Sequence, residues 1–166
     1  ILGCKPKEIF LASTGVIGHK LPMDKVTAGI DACLAELAAD LEAGRRFLAA
    51  IMTTDAFPKE AGEQPPNAPT ASVAGVAKGA GMIEPNMATM LAFLGTDASA
   101  TPEELARALP VIARSSFNAV HVDTHTSTND TFLHFATGRA PTPFAAVQPA
   151  ATRVAHAYAV HRAGGD

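Results

Sequence analysis

The sequence predicts an α/β (α+β) sandwich, a mixed sheet with helices packed on it. Three observations carry this expectation. Strand-like and helix-like patterns alternate along the 166 residues, the returns between strands look antiparallel, and 48% of residues are hydrophobic against 17% charged. That is enough apolar side chain for one ordinary core, so residues 1–166 read as a single domain. No internal repeat, Rossmann fingerprint or Walker A sequence is evident. Gly75-Val76-Ala77-Lys78-Gly79 has its lysine and glycine in the wrong order for a phosphate cradle.

Residues 8–12 form a short apolar run, read as a buried strand delivering the turn Ser13-Thr14-Gly15. Pro22 and Asp24 open a helix in which Val26, Ile30, Cys33, Leu34 and Leu37 make an apolar stripe expected to face the core. After Asp40, residues 41–52 predict a second helix with Phe47, Leu48 and Ile51 on one side, ending in Thr53-Thr54-Asp55. Residues 57–70 hold Pro58, Pro65, Pro66 and Pro69 and show no period, which predicts a surface loop.

Strands are expected at residues 71–77 and 90–95, joined by a shaped, glycine-lined loop. Thr101-Pro102-Glu103-Glu104 then starts a helix with a capping threonine, a proline at the first position and acids in the first turn. It should run to about Ser116, with an irregularity at Pro110. Residues 117–122 read as a strand, 123–130 as a polar turn and 131–136 as the returning strand. Residues 138–143 break the chain, and 148–162 form a terminal helix bearing Val154, Tyr158 and His161.

Net charge is −3, from 13 basic and 16 acidic residues spread along the chain, so no basic stripe offers a nucleic-acid or anionic-membrane surface. No run approaches the ~20 apolar residues of a membrane span. Cys4 and Cys33 lie far apart and outside any zinc-type spacing, and read as free thiols in a reducing compartment, which predicts a cytoplasmic protein. Ile1 begins without a basic n-region, and the chain opens as the middle of a longer protein would. His121 and His125 are four apart but sit on a strand and turn, where that spacing does not converge on a metal.

Chemistry concentrates in Lys78-Gly79-Ala80-Gly81-Met82-Ile83-Glu84-Pro85-Asn86-Met87-Ala88-Thr89-Met90-Leu91-Ala92-Phe93. Thr89 stands where the loop re-enters a strand, a placement that suits a nucleophile and equally a β-branched residue opening a strand. This stretch resembles the self-cleavage motif of the ornithine acetyltransferase family, the bifunctional glutamate N-acetyltransferases of arginine biosynthesis. Three further blocks resemble the same family in the same order. They are Ser13-Thr14-Gly15-Val16-Ile17-Gly18, Ile51-Met52-Thr53-Thr54-Asp55, and Thr126-Ser127-Thr128-Asn129-Asp130-Thr131 after Ser116-Phe117-Asn118.

The resemblance implies a self-processing, N-terminal-nucleophile fold cut between Ala88 and Thr89. It implies an acetyl group moved from N-acetylornithine to glutamate through an acetyl-Thr89 intermediate. Thr14 and Gly15 would form the oxyanion hole, and Thr53 or Thr54, Lys78 and Thr89 would bind substrate. Of the two threonines, Thr53 is the better match. Read without the family, Ser13-Thr14-Gly15 is a turn, Thr53 a helix-end cap and Lys78 a snorkelling strand-end lysine. No metal or organic cofactor is implied, with acetyl-CoA a co-substrate in bifunctional members. The partners implied are small amino-acid substrates and the two chains of self-cleavage, held as a hetero-oligomer.

The run 126–131 reads as a network holding the nucleophile's strand. The chain departs from the family pattern at Glu84, where a small residue is usual, and at Asp123-Thr124-His125-Thr126. Arg162-Ala163-Gly164-Gly165-Asp166 also lacks the family's glutamate. Two rival functions share the features: a self-activating amidohydrolase or aminopeptidase passing the acyl group to water, and an inactive domain keeping only the fold.

Overall fold

The computed structural model describes residues 3–16, 18–53, 55–79, 90–119 and 129–162, with the backbone alone for 160–162. Its centre is a four-stranded sheet in the order β1 (Lys59–Glu63), β2 (Val73–Lys78), β3 (Leu91–Thr96) and β4 (Thr131–Ala136). The first three strands are antiparallel neighbours, whereas β4 lies parallel to β3. The sheet is mixed, as expected. The return to β4 is not antiparallel, because α3 (Pro102–Arg114) lies in the connection and brings the chain back to the end where β3 began.

One face of the sheet is covered by α3 and by α4 (Phe144–Arg162). Strand alternation sends Val73 and Ala77 with Ala92 and Leu94 to this side, where they join Ile112, Val147, Val154 and Tyr158 in one buried cluster. The close approach of α4 depends on Gly75. A Cβ there would collide with the Phe93 carbonyl and come within 2.9 Å of the Tyr158 hydroxyl. That hydroxyl instead donates to the Ala61 carbonyl at 3.0 Å, and burial raises its pKa above the ordinary tyrosine value. Arg153 adds an exposed clip from α4 to β1, its Nε donating to Glu63 at 2.9 Å and holding that carboxyl below its usual range.

The opposite face receives α2 (Leu41–Ile51). Asp40 caps it by accepting from the Ala43 amide at 2.7 Å, Phe47 meets Phe93 edge-on at 5.1 Å, and Leu48 is buried. The helix at Thr101 starts as the sequence predicts, with a full capping box between Thr101 and Glu104. Pro110 sits inside α3, which runs unbroken to Arg114.

Several expectations fail for identifiable reasons. Residues 8–12 form no strand: Pro6–Glu8 is a 3-10 turn, and Ile9, Phe10 and Leu11 follow it exposed, the Phe10 ring meeting Phe135 at 6.4 Å. The stripe on α1 (Met23–Ala35) does not face the core, since no residue of that helix is buried and Ile30 is 54% exposed. The loop of residues 57–70 contains β1, an edge strand whose charged residues disguised it. Phe117–Ala119 is a 3-10 turn where a strand was expected. The last helix begins at Phe144, four residues before Gln148, and continues through Pro149. The expected features at residues 120–128, including His121 and His125, lie outside the described residues.

Candidate active site

Three strand ends meet at one edge of the sheet. Lys78 closes β2 opposite Leu91, which opens β3, and Leu91 in turn lies beside Thr131, which opens β4. Residues 80–89, which contain Ala88 and Thr89, connect two of these ends and lie outside the described residues. Their neighbours on both sides are described, and each is held by a carboxylate.

On the β2 side the Gly79 amide donates to both oxygens of Asp55, at 2.9 and 3.2 Å. Gly79 has φ +128°, a conformation side-chain-bearing residues rarely adopt. Asp55 follows the end of α2 and also pairs with Lys59 of β1, and both side chains are almost fully buried. On the β3 side the Met90 amide donates to Asp130 Oδ1 at 2.8 Å, and the Met90 carbonyl accepts from the Thr131 amide at 2.9 Å.

Lys78 points to the face of α2, one residue past core-facing Ala77, and is 2% exposed. Burial pulls its ammonium below the ordinary lysine range, and the charges of Asp55 and Asp130 oppose that shift. A buried lysine between two acids is not a snorkelling surface residue.

Beside this edge lies a cleft of about 530 Å³. Residues 11–16, Gly18, His19 and Leu21 form one wall, and Asn129, Asp130 and Thr131 form the other. Thr14, half-buried, and Gly15, exposed, therefore face the cleft from the N-terminal segment. Asp130 belongs both to the cleft and to the clasp on Met90, so the residue that follows Thr89 in sequence is tied to the cleft wall.

The expected site residues thus divide. Thr14 and Gly15 come together with Asp130 and Thr131 at the cleft, and Lys78 closes the neighbouring strand β2, where the charge of Asp130 acts on it. Thr53 is exposed just past the end of α2 and does not line the cleft, and Thr54, Ala88 and Thr89 lie outside the described residues. Sequence reasoning missed Asp55 and Lys59. The available signal was their spacing of four, with Asp55 closing a polar block at the end of an apolar helix.

A family model described as the ArgJ family matches residues 1–163. Among similar curated proteins is one from Chlorobium chlorochromatii (strain CaD3), 51% identical over 82% of this chain and 32% of its own length. One from Gluconobacter oxydans (strain 621H) is 45% identical over 86% of the chain and 34% of its own. One from Symbiobacterium thermophilum is 48% identical over 86% and 35%. Each is named arginine biosynthesis bifunctional protein ArgJ, and the chain spans about a third of the length of these relatives. With a match over all but its last three residues, the chain belongs to the ArgJ family.

Proposed function

We propose that this chain carries the nucleophile of an acetyltransferase of arginine biosynthesis, moving an acetyl group from N-acetylornithine to glutamate. The observation that supports this best is the bond from the Met90 amide to Asp130, which ties the position after Thr89 to the cleft lined by Thr14 and Gly15.

The reaction begins within the chain. The Thr89 hydroxyl attacks the Ala88 carbonyl, its proton passes to the Thr89 nitrogen as the peptide bond breaks, and the resulting ester is opened by water. Products are a chain ending at Ala88 and a chain whose new N-terminus is Thr89. A threonine hydroxyl is a weak nucleophile near neutral pH, and the freed amine beside it serves as its base. The same hydroxyl then takes the acetyl group from N-acetylornithine, releasing ornithine, and passes it to the amine of glutamate. At each tetrahedral stage the Thr14 hydroxyl and the Gly15 amide donate to the oxyanion. Lys78 receives the α-carboxylate of the amino acid, and Thr53 contacts it at the end of α2.

The finer reading is an N-terminal-nucleophile fold in one domain, with its two chains associated after cleavage and working in the cytoplasm. No metal or organic cofactor takes part, and acetyl-CoA serves as a co-substrate where a member is bifunctional. Among the described residues no helix is long and apolar enough to cross a membrane.

The test is direct. Fresh whole protein is expected to yield two fragments on a denaturing gel, the second with Thr89 as its N-terminus, while Thr89→Ala stays whole. The cleaved protein should then transfer acetyl to glutamate. Release of free acetate alone would make it a hydrolase, and an uncut, silent protein would leave only the fold.

A further inference from the structure

Two lysines are buried where β1 and β2 meet at the end of the sheet, Lys59 and Lys78. Lys59 is paired with Asp55, whose side chain is only 1% exposed, and its ammonium also stands 5.0 Å from the centre of the Phe57 ring. The Asp55 carboxylate has a second task, accepting from the Gly79 amide on both oxygens at 2.9 and 3.2 Å. Parting a buried carboxylate from its cation is strongly unfavourable, so Lys59 keeps Asp55 from swinging away from that amide.

The Gly79 amide belongs to the planar peptide that also carries the Lys78 carbonyl. Holding it fixes the backbone by which Lys78 leaves the ladder, whose last pair is Lys78 with Leu91. Gly79 takes φ +128°, and a Cβ there would come within 3.3 Å of the Met90 Cα, so the end of β2 is pressed on the residue before β3. Asp55 also acts on Lys78 through space. Burial pulls the Lys78 ammonium below the ordinary lysine range, and Asp55, ahead of Asp130, opposes that shift. One carboxylate therefore bears on both the place and the charge of Lys78.

We propose that Asp55 is a positioning residue for Lys78: anchored by its ion pair with Lys59, its carboxylate holds the Gly79 amide and so fixes the peptide that follows Lys78 at the end of β2. This rests on the acyl-transfer reading above, in which Lys78 receives the α-carboxylate of the amino acid. Contact with substrate stays with Lys78, and the Asp55–Lys59 pair sets where that lysine stands.

The experiment is steady-state kinetics of acetyl transfer by the whole protein, with thermal midpoints recorded alongside. Asp55→Asn alone would strand Lys59 as a buried cation, so it is combined with Lys59→Met, which removes both charges together and keeps an oxygen for the Gly79 amide. This double variant is expected to melt close to the parent. It should raise KM about tenfold for N-acetylornithine and for glutamate alike, since both carry the α-carboxylate, with kcat within about threefold of the parent. In a Lys78→Met background the same two changes should leave KM where it stands, because the group they position is gone. A double variant with the parent KM would overturn the inference. So would an equal rise in the Lys78→Met background, or a double variant that does not fold, since either makes the pair part of the general framework. A parent that transfers no acetyl to glutamate defeats the acyl-transfer reading itself, whereas a transferring parent whose KM the variant does not move defeats this inference alone.

Discussion

The N-terminal segment through α1 and the sheet with α3 and α4 are built from similarly apolar sequence and end in opposite states. The main buried cluster is drawn entirely from residues between Ala68 and Ala159, whereas Ile9, Phe10, Leu11, Val16, Leu21, Met23, Ile30 and Leu37 all stand exposed. Helix α1 has the better 3-4 stripe yet buries nothing. Helix α4, apolar on several sides, is buried at eight positions between Phe144 and Ala159. A hydrophobic period says which side of a helix is apolar, and only a facing surface decides whether that side leaves water. The cleft lies at the boundary, with one wall from each region.

The sharpest way to break the packed half is at Gly75. A methyl group there must displace the Phe93 backbone or push Tyr158 from its bond to Ala61. Because a backbone carbonyl cannot swing aside as a side-chain tip does, Gly75→Ala is expected to cost about 3 kcal/mol or more. Chemical denaturation checks this. A loss under about 1 kcal/mol would mean that α4 is not pressed on β2 as described.

Much of this contrast could not be read in sequence. The Thr101 capping box was legible because every partner lies within three residues. Strand β1 was not, because Lys59-Glu60-Ala61-Gly62-Glu63 has no apolar alternation and exists through the β2 ladder and a tyrosine 97 residues away. At the candidate site, the motif blocks singled out Thr14, Gly15 and Lys78, and the structure puts the first two in one cleft wall. The run 126–131 was legible as a hold on the following strand, and Asp130 and Thr131 bind Met90; the contact of Asp55 to Gly79, 24 residues distant, was not legible.

A second prediction probes the packed half through pH. His134 lies on the α4 side beside the Phe144 ring at 5.2 Å, neither ring nitrogen finds a partner among the described residues, and burial pushes its pKa from 6.5 down to about 4. Between those values the unfolded chain binds a proton that the folded chain refuses. Stability from this group is therefore intact above pH 6.5, falls as pH drops toward 4, and levels off below. The total is roughly 3 kcal/mol. His134→Leu should remove that part of the slope. An unchanged slope in urea titrations from pH 7 to 4 would show that His134 is not the group responsible.

The smallest effect belongs to the other region and has the opposite sign. Gly29 lies inside α1, and a Cβ built there meets no heavy atom within 4 Å among the described residues. The glycine costs the helix about 1 kcal/mol relative to alanine, because it loses more backbone freedom on folding. Gly29→Ala should therefore gain up to that amount, read as higher helicity on warming, while the same substitution at Gly75 is the most damaging considered. The pair makes one chemical change a probe of packing. A loss of stability at Gly29 would mean that a surface presses on this side of α1. The stripe of half-buried Val26 and Leu34 with exposed Ile30 would then be a contact face, and the division between the two regions would close.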